Sequence, residues 1–166
     1  MKTLVLIRHA KSSWSEPGLK DHDRPLTKKG KKAARRVGAA LVDWGIELDR
    51  MLTSTAVRTL STAELIGEGI GFPLDEIIRD ENLYQSAAGE LLDIIQDQED
   101  DLEGLMLIGH NPGMTDLVSR LSDLDLDNMP TSGVVVLQYD RERWSEIRRA
   151  APVRVQYFNP RDESGS

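Results

Sequence analysis

The chain has 166 residues, a length that suits one domain with a single buried core. It contains no cysteine, which excludes disulfides, thiolate catalysis and cysteine-based zinc sites. Its net charge of -7 argues against a nucleic-acid partner, because a phosphate backbone requires a basic face. Its apolar runs are too short to cross a membrane, and no apolar signal-peptide segment opens the sequence. We therefore expect a cytoplasmic protein with no membrane and no nucleic-acid partner.

The first predicted strand is followed by a long loop and a helix. Thr3 to Ile7 is a continuous apolar run, typical of a strand that is covered on both faces. Residues 12–24 are polar and contain proline and glycine, so they predict a loop. Thr27 is the expected N-cap of the helix. Apolar residues at helical spacing predict its buried face, formed by Ala33, Val37, Leu41 and Trp44.

The middle of the chain repeats the alternation of strand and helix. Asp49 to Thr53 is the second predicted strand, and a second helix is expected to begin at Ser54. That helix should end near residues 67–71, which contain three glycines. Ile77-Ile78 predicts a small strand, and residues 80–89 predict a second polar loop.

The last third of the chain supplies two more strands and two more helices. A helix that carries Leu91, Leu92 and Ile95 leads to a strand at Leu105 to Ile108. Asn111-Pro112 predicts an N-cap followed by proline at the first helical position. Val134 to Leu137 predicts a fourth strand, and residues 145–149 are expected to pair with it at the sheet edge.

This order of elements predicts an α/β fold, a three-layer α/β/α sandwich with a mostly parallel central sheet. No repeat or linker divides the chain, so we predict one domain over residues 1–158. Residues 159–166 predict a polar, frayed C-terminal tail.

Polar residues follow three of the predicted strands, and they carry the candidate chemistry. Arg8-His9 follows the first strand, Ser54 the second and His110 the third. Ligands in open α/β sheets bind beyond the carboxyl ends of the strands, so we expect these residues to converge. Arg58 lies in the first turn of the helix that begins near Ser54, within reach of the same pocket.

Two arginines that converge on a small volume predict an anionic ligand, and guanidinium groups match phosphoryl oxygens in a bidentate way. A neutral His9 could then attack phosphorus and form a phosphohistidine intermediate. Arg8 and Arg58 would neutralise the phosphoryl oxygens, and a protonated His110 would donate to them. This chemistry requires neither a metal nor a cofactor.

Each candidate also has a simpler interpretation when it is taken alone. A single histidine after a strand is more often structural than catalytic, and Arg58 alone would form a helix-surface salt bridge. We assign His22, in a charged loop, a solvated role. A metal site built from His9, His22 and His110 is disfavoured by the two arginines expected in the same pocket. The joint pattern favours catalysis.

These residues resemble the histidine phosphatase superfamily, whose best-known fold is that of phosphoglycerate mutase. The resemblance rests on ordered segments that cover most of the chain: Arg8-His9, Arg24-Pro25-Leu26-Thr27 with Gly30, residues 54–59, and Gly109-His110-Asn111-Pro112. Residues 8–14 and the short length resemble the bacterial SixA-type phosphohistidine phosphatases. The resemblance implies His9 as nucleophile, with Arg8, Arg58 and His110 in the phosphate pocket. It leaves open whether Lys11, Ser12 or Ser13 contacts phosphate.

The chain departs from the family pattern at two positions. Ala10 follows the nucleophile where many members have glycine, which reduces backbone freedom there. Gln85 stands where larger relatives carry an acidic residue, and an amide cannot protonate a leaving group. Glu81 is the candidate substitute acid. Because imidazole is a much weaker base than an alkoxide, a site without a dedicated acid favours phosphohistidine over phosphoesters.

The sequence thus predicts a metal-independent phosphatase that acts on phosphohistidine in a protein partner. Two alternatives remain open. One is a phosphomonoesterase for a small phosphorylated metabolite, and the other is a phosphate-binding adaptor that does not catalyse.

Overall fold

A computed structural model describes residues 1–163 of the chain. Its centre is a six-stranded sheet with the order β3-β2-β4-β1-β5-β6. The strands span Lys2–Arg8 (β1), Arg50–Thr53 (β2), Ile78–Arg79 (β3), Gly104–Gly109 (β4), Val134–Tyr139 (β5) and Arg154–Phe158 (β6). Neighbours among the first four strands are parallel, whereas β5 is antiparallel to both β1 and β6. The sheet is mostly parallel, as predicted.

Helices cover both faces of the sheet and complete the predicted α/β sandwich. They span Lys28–Asp43 (α1), Val57–Ile70 (α2), Ala88–Gln96 (α3), Gly113–Leu121 (α4) and Pro160–Glu163 (α5). One buried cluster joins α1 and α2 to Val5 and Ile7 of β1. The other joins α3 and α4 to Leu4 and Leu6 on the opposite face. The continuous apolar run of β1 is explained by this burial on both faces.

Two helix starts differ from the prediction. The helix expected from Ser54 begins at Val57, and the one expected at Pro112 begins at Gly113, with Pro112 as its N-cap. Asn111 still acts at this end of α4, because its side-chain oxygen accepts hydrogen bonds from the backbone N–H and hydroxyl of Thr115. The predicted cap of α1 is confirmed, since the Thr27 side chain accepts a hydrogen bond from Gly30 N.

The prediction of an edge strand at residues 145–149 is wrong, because Trp144–Arg149 forms a 3-10 helix. Trp144 and Ile147, three residues apart, are both fully buried, a spacing that fits a helical turn and not an alternating strand. The Trp144 indole donates a hydrogen bond to Leu102 O and fixes this segment against the sheet. The strand that pairs with β5 is β6.

Residues 160–163 of the predicted C-terminal tail form the short helix α5. Pro160 is buried, and its carbonyl accepts a hydrogen bond from Arg36 Nη1 on α1. Residues 164–166 of the predicted tail lie outside the described residues. None of the helices in the described chain is long and apolar enough to cross a membrane.

Candidate active site

The carboxyl ends of β1, β2 and β4 meet at one edge of the sheet, with β4 between the other two. His9 follows β1, Ser54 follows β2 and His110 follows β4. Backbone hydrogen bonds continue past the strand ends, from His9 N to Gly109 O (3.1 Å) and from Ser54 N to Ile108 O (3.3 Å). The parallel ladder therefore fixes the relative positions of these three residues.

The structure brings together four of the predicted site residues, Arg8, His9, Arg58 and His110, which we call the histidine pocket. The rings of His9 and His110 lie with their centroids 5.2 Å apart. Their residues are 8% and 7% exposed, and Arg58 is 5% exposed. His9, His110 and Arg58 are thus buried together in one pocket. Buried clusters of titratable and charged side chains are more common at functional sites than elsewhere.

His9 is held in a defined tautomer. Its Nδ1 lies 2.7 Å from the carbonyl oxygen of Ala10, which can only accept, so Nδ1 carries the proton. The Nε2 atom is left with a lone pair. Burial, together with the positive charges of Arg58, Arg8 and Arg24, lowers the pKa of His9 to about 4 despite the opposing effect of the Ala10 hydrogen bond. His9 is therefore neutral at physiological pH.

His110 is oriented from both of its ring nitrogens. Its Nδ1 accepts a hydrogen bond from Arg58 Nη2 (3.3 Å), so its Nε2 carries the proton and donates to Ser54 Oγ (2.7 Å). Ser54 is itself held by the hydroxyl of Thr59 (2.6 Å). Burial, competition with the neighbouring His9 ring for a proton and the positive charge of Arg58 lower the pKa of His110 to about 3. His110 is therefore neutral at physiological pH, whereas its predicted role as a donor to phosphate requires the protonated ring.

Arg58 is fixed by the loop that precedes α1. Its Nη1 donates to the backbone oxygen of Asp21 (2.6 Å) and its Nη2 to Asp21 Oδ2 (2.9 Å). Its Nε is buried and has no hydrogen-bond partner in the described chain. Asp21 therefore holds the Nη1 and Nη2 groups of Arg58, while its Nε–H remains without an acceptor among the described residues.

Arg8 directly precedes His9 in the chain and is half-buried. Its Nη1 donates to Met129 O (2.9 Å), and its Nε, like that of Arg58, is buried with no partner among the described residues. Burial and the charges of Arg161 and Arg58 lower its pKa, although guanidinium remains charged at neutral pH. Two guanidinium groups thus present unsatisfied N–H donors at the same pocket.

Sequence reasoning missed Asp21 and Tyr84. The Asp21 carboxylate also binds Arg24 Nη1 (2.9 Å) and accepts a hydrogen bond from the Tyr84 hydroxyl (2.6 Å). This hydrogen bond from Tyr84, together with Arg58 and Arg24, holds the pKa of Asp21 well below its usual range. The Tyr84 ring lies edge-on to His110, with centroids 5.2 Å apart. The position of Asp21 three residues before the motif residue Arg24 was the available signal.

The candidate acid Glu81 does not join these contacts. Its side chain is exposed and forms no hydrogen bond or ion pair with the histidine pocket among the described residues. Gln85 is also exposed and adopts a left-handed backbone, with φ of 57°. Ala10, in contrast, is fully buried outside the left-handed region, so its methyl group introduces no strain.

The remaining loop residues surround the pocket. Ser12 Oγ accepts a hydrogen bond from Arg24, and the Ser13 hydroxyl pairs with Ser15, while Lys11 is exposed. His22 lies outside the histidine pocket; its Nε2 is 2.8 Å from Thr55 Oγ1, so it is less solvated than predicted. Within residues 1–163 no group of three or more histidine, aspartate or glutamate side chains is arranged to hold a metal ion.

Comparison with known proteins places this geometry in context. The profile of the histidine phosphatase superfamily (branch 1) matches residues 4–101. An uncharacterised protein of Mycobacterium tuberculosis is 30% identical over 165 residues, which cover 93% of this chain and all of that protein.

Two solved structures have the same fold and are assigned as the phosphohistidine phosphatase SixA. The one from Agrobacterium tumefaciens has a TM-score of 0.76 and 28% identity, and covers 93% of this chain and 97% of its own. The one from Nakamurella multipartitia has a TM-score of 0.80 and 26% identity, with 96% of each chain covered.

Proposed function

Because the chain belongs to the histidine phosphatase superfamily, we propose that it is a phosphatase that removes phosphate from phosphohistidine in a protein partner. The observation that carries the proposal is the neutral, buried His9, whose Nδ1 is occupied by Ala10 O and whose Nε2 keeps its lone pair. A nucleophile in this state requires no general base to remove a proton before it attacks.

The two guanidinium groups support a phosphoryl ligand. Arg8 Nε and Arg58 Nε are buried donors without partners among the described residues, and a phosphoryl group supplies acceptors for both. Phosphoryl transfer depends mainly on positioning and on neutralising the oxygens, which these arginines would provide. An entering dianion would also favour the protonated form of His110, which then donates a further hydrogen bond.

The reaction proceeds in two displacements at phosphorus. In the first, a bond forms between His9 Nε2 and phosphorus while the substrate P–N bond breaks, and the substrate ring, protonated on its other nitrogen, leaves as neutral imidazole. In the second, a water oxygen attacks phosphorus, the bond to His9 breaks, His9 regains its lone pair, and inorganic phosphate leaves with both protons of the water. The sum is phosphohistidine plus water giving histidine plus phosphate.

The surroundings of the leaving group favour phosphohistidine over a phosphate ester. The Gln85 amide cannot protonate a leaving group. Glu81 is exposed and, among the described residues, forms no hydrogen bond or ion pair with the histidine pocket. An alkoxide benefits from a general acid by roughly 10²–10⁴ in rate, whereas imidazole leaves as a much weaker base. The two SixA structures at 26–28% identity support the same choice.

The test is to trap the intermediate and to compare substrates. Brief incubation with a ³²P-phosphohistidine peptide should label the protein with acid-labile phosphate, and His9→Ala should abolish the label. His22→Asn is the control: His22 is not one of the four pocket residues, although its ring packs against Tyr84 with centroids 5.1 Å apart, so the label should persist. A large preference for small phosphate monoesters would refute the proposed substrate, and no label with any phosphorylated compound would support the adaptor.

A further inference from the structure

A cleft of about 300 Å³ lies beside the histidine pocket and has a strongly basic lining. The start of α1 forms one wall and the turn before β5 forms the other. We call it the basic cleft, and we define it by Lys11, Lys29, Lys32, Arg36, Ser132 and Arg161. The four residues of the histidine pocket do not line this cleft, so it is a separate concavity.

The basic cleft shares a wall with the histidine pocket. The backbone N–H of Ser132 donates to the carbonyl oxygens of both Arg8 and His9, at 3.1 Å each. Lys11 follows His9 by two residues, and its carbonyl accepts a hydrogen bond from Thr27 N at the start of α1 (2.9 Å). A group bound in the cleft would therefore lie close to a phosphate held against His9.

The charge of this region is opposite to that of the protein as a whole. Six of the nine residues from 28 to 36 are lysine or arginine, in a chain with a net charge of -7. The first turn of α1 has no acidic residue, although the helix dipole disfavours cations at this end. Folding of the helix does not explain such a cluster, which favours an anionic partner instead.

The lysines of the basic cleft are available to a ligand. Lys29 and Lys32 are exposed, and neither forms an ion pair within residues 1–163. Together with Arg36 they occur at a spacing of three and four residues, so they share one face of α1. At 1.5 Å per residue this row extends over roughly 10 Å, which is longer than one phosphoryl group and suits a short chain segment.

Ser132 gives an independent indication of a ligand. It is 1% exposed, and its hydroxyl has no hydrogen-bond partner among the described residues. Buried hydroxyl groups are normally hydrogen-bonded, because an unmade bond leaves the desolvation penalty uncompensated. Ser132 also lines the cleft, so its hydroxyl is the nearest unpartnered donor to an anionic oxygen that enters there.

We propose that the basic cleft is an anion-binding subsite that holds an acidic side chain located next to the phosphohistidine of the protein substrate. The choice of occupant rests on the proposed function, because a protein substrate, unlike a small metabolite, carries side chains beyond the phosphohistidine that can meet the row of cations. Lysine binds a carboxylate as a point charge without strict geometry, which fits a partner whose side chains are mobile. The subsite would therefore select among phosphohistidine proteins by the charge around the histidine.

The test uses two phosphohistidine peptides of equal length, one with glutamates flanking the histidine and one with glutamines. The variant is Lys29→Gln/Lys32→Gln, which removes two charges from the cleft. The matched control is Lys28→Gln/Lys31→Gln, which removes two exposed charges from the same helix outside the cleft. Both variants change the net charge equally, so a difference between them reports position and not total charge.

For the acidic peptide we expect the cleft variant to lower kcat/KM roughly tenfold, which corresponds to about 1.4 kcal/mol. The control should change it less than threefold, and the neutral peptide should be turned over equally by all three proteins. Equal losses in both variants, or equal losses with both peptides, would overturn the proposal. Dependence on Lys29 and Lys32 for a small bisphosphate but not for the acidic peptide would also overturn it.

A binding measurement separates this proposal from the proposed function. Fluorescence anisotropy of the same two peptides without phosphate reports the subsite even if no phosphohistidine is hydrolysed. We expect the acidic peptide to bind wild type more tightly than the neutral peptide, and Lys29→Gln/Lys32→Gln or Ser132→Ala to weaken only the acidic one. Equal binding of the two peptides to wild type would refute the subsite, whatever the activity.

Discussion

Asp21→Asn tests whether the loop before α1 positions Arg58. The substitution keeps the size of the side chain and one oxygen acceptor, but it removes the negative charge that binds Arg58 and Arg24 at 2.9 Å each. Arg58 is almost fully buried, so it would lose the anion that compensates its desolvation. We expect a less stable protein in which the Arg58 guanidinium is less well oriented.

The magnitude follows from the exposure of the carboxylate. Its side chain is 43% exposed, which places the interaction between a surface pair, worth about 0.2–1 kcal/mol, and a buried charged hydrogen bond, worth about 1.5–3 kcal/mol. For the two arginines together we expect a loss of about 1–2 kcal/mol. A change of 1 kcal/mol shifts the Tm of a domain of this size by about 2–4 °C, so Tm should fall by about 2–8 °C.

The assay combines thermal unfolding with steady-state turnover of a phosphohistidine peptide. We expect kcat to fall about tenfold, a rise of about 1.4 kcal/mol in the barrier, because Arg58 is misplaced when charge develops. Inorganic phosphate should inhibit the variant at least as strongly as wild type, since one anion near the pocket has been removed. Added phosphate should therefore narrow the difference in Tm between the two proteins.

Asp23→Asn is the matched control, because Asp23 lies in the same loop and its carboxylate has one polar partner among the described residues, His22 at 3.5 Å. It should change kcat by less than twofold. An unchanged or increased kcat in Asp21→Asn would refute a positioning role. A loss of kcat that Asp23→Asn reproduces would show that loop charge in general, and not the contact with Arg58, is responsible.

Three further predictions concern the pocket itself. Arg58→Lys keeps the charge but loses the forked donors, and kcat/KM should fall by roughly 10²–10³ with an unchanged circular dichroism spectrum; retention of a third of the activity would contradict this. Glu81→Gln should leave phosphohistidine turnover within twofold, whereas a loss of about 10² or more would identify Glu81 as the acid. The lowered pKa values of His9 and His110, about 4 and about 3, mean that only the unfolded chain takes up protons at these residues between about pH 6.5 and 4. In urea unfolding, the free energy of unfolding should therefore decrease as the pH is lowered from about 6.5 to 4, and it should decrease less steeply in His9→Asn. An equal slope in that variant would be inconsistent with a neutral His9.

The sheet could be predicted because its strands carry strong local signals. β1 and β4 are buried on both faces, so each has an uninterrupted run of apolar residues. A short run of this kind is typical of a central parallel strand. β6 is an edge strand with exposed residues at its start, and its alternation is weak for that reason. Residues 144–149 contain two apolar residues, Trp144 and Ile147, at a spacing that fits a helical turn, and the hydrogen bond from the Trp144 indole to Leu102 O holds this 3-10 helix in place.

The four residues of the histidine pocket could be predicted for a topological reason. Carboxyl ends of neighbouring parallel strands share one edge of a sheet, so residues that follow them converge whatever the loops do. Asp21 and Tyr84 belong to two loops separated by 62 intervening residues, and their contact depends on how both loops fold over the sheet. No local sequence pattern predicts this long-range contact, although Asp21 lies three residues before the motif residue Arg24.

The chemistry of His9 connects the pocket to the nature of the substrate. In the proposed first displacement phosphorus moves from one imidazole nitrogen to another, so the bond that forms and the bond that breaks are of the same type. The two nitrogens differ in basicity mainly through their surroundings, and burial among cations lowers the pKa of His9 to about 4. A less basic nitrogen is also a better leaving group, so the same burial that weakens attack by His9 speeds its later release by water.

With an alkoxide substrate this balance is lost, because the stronger base departs first and requires a proton donor. The absence of a carboxylate at Gln85 is therefore consistent with a pocket tuned for transfer between nitrogens, and introducing one by Gln85→Glu should raise turnover of phosphate esters more than that of phosphohistidine.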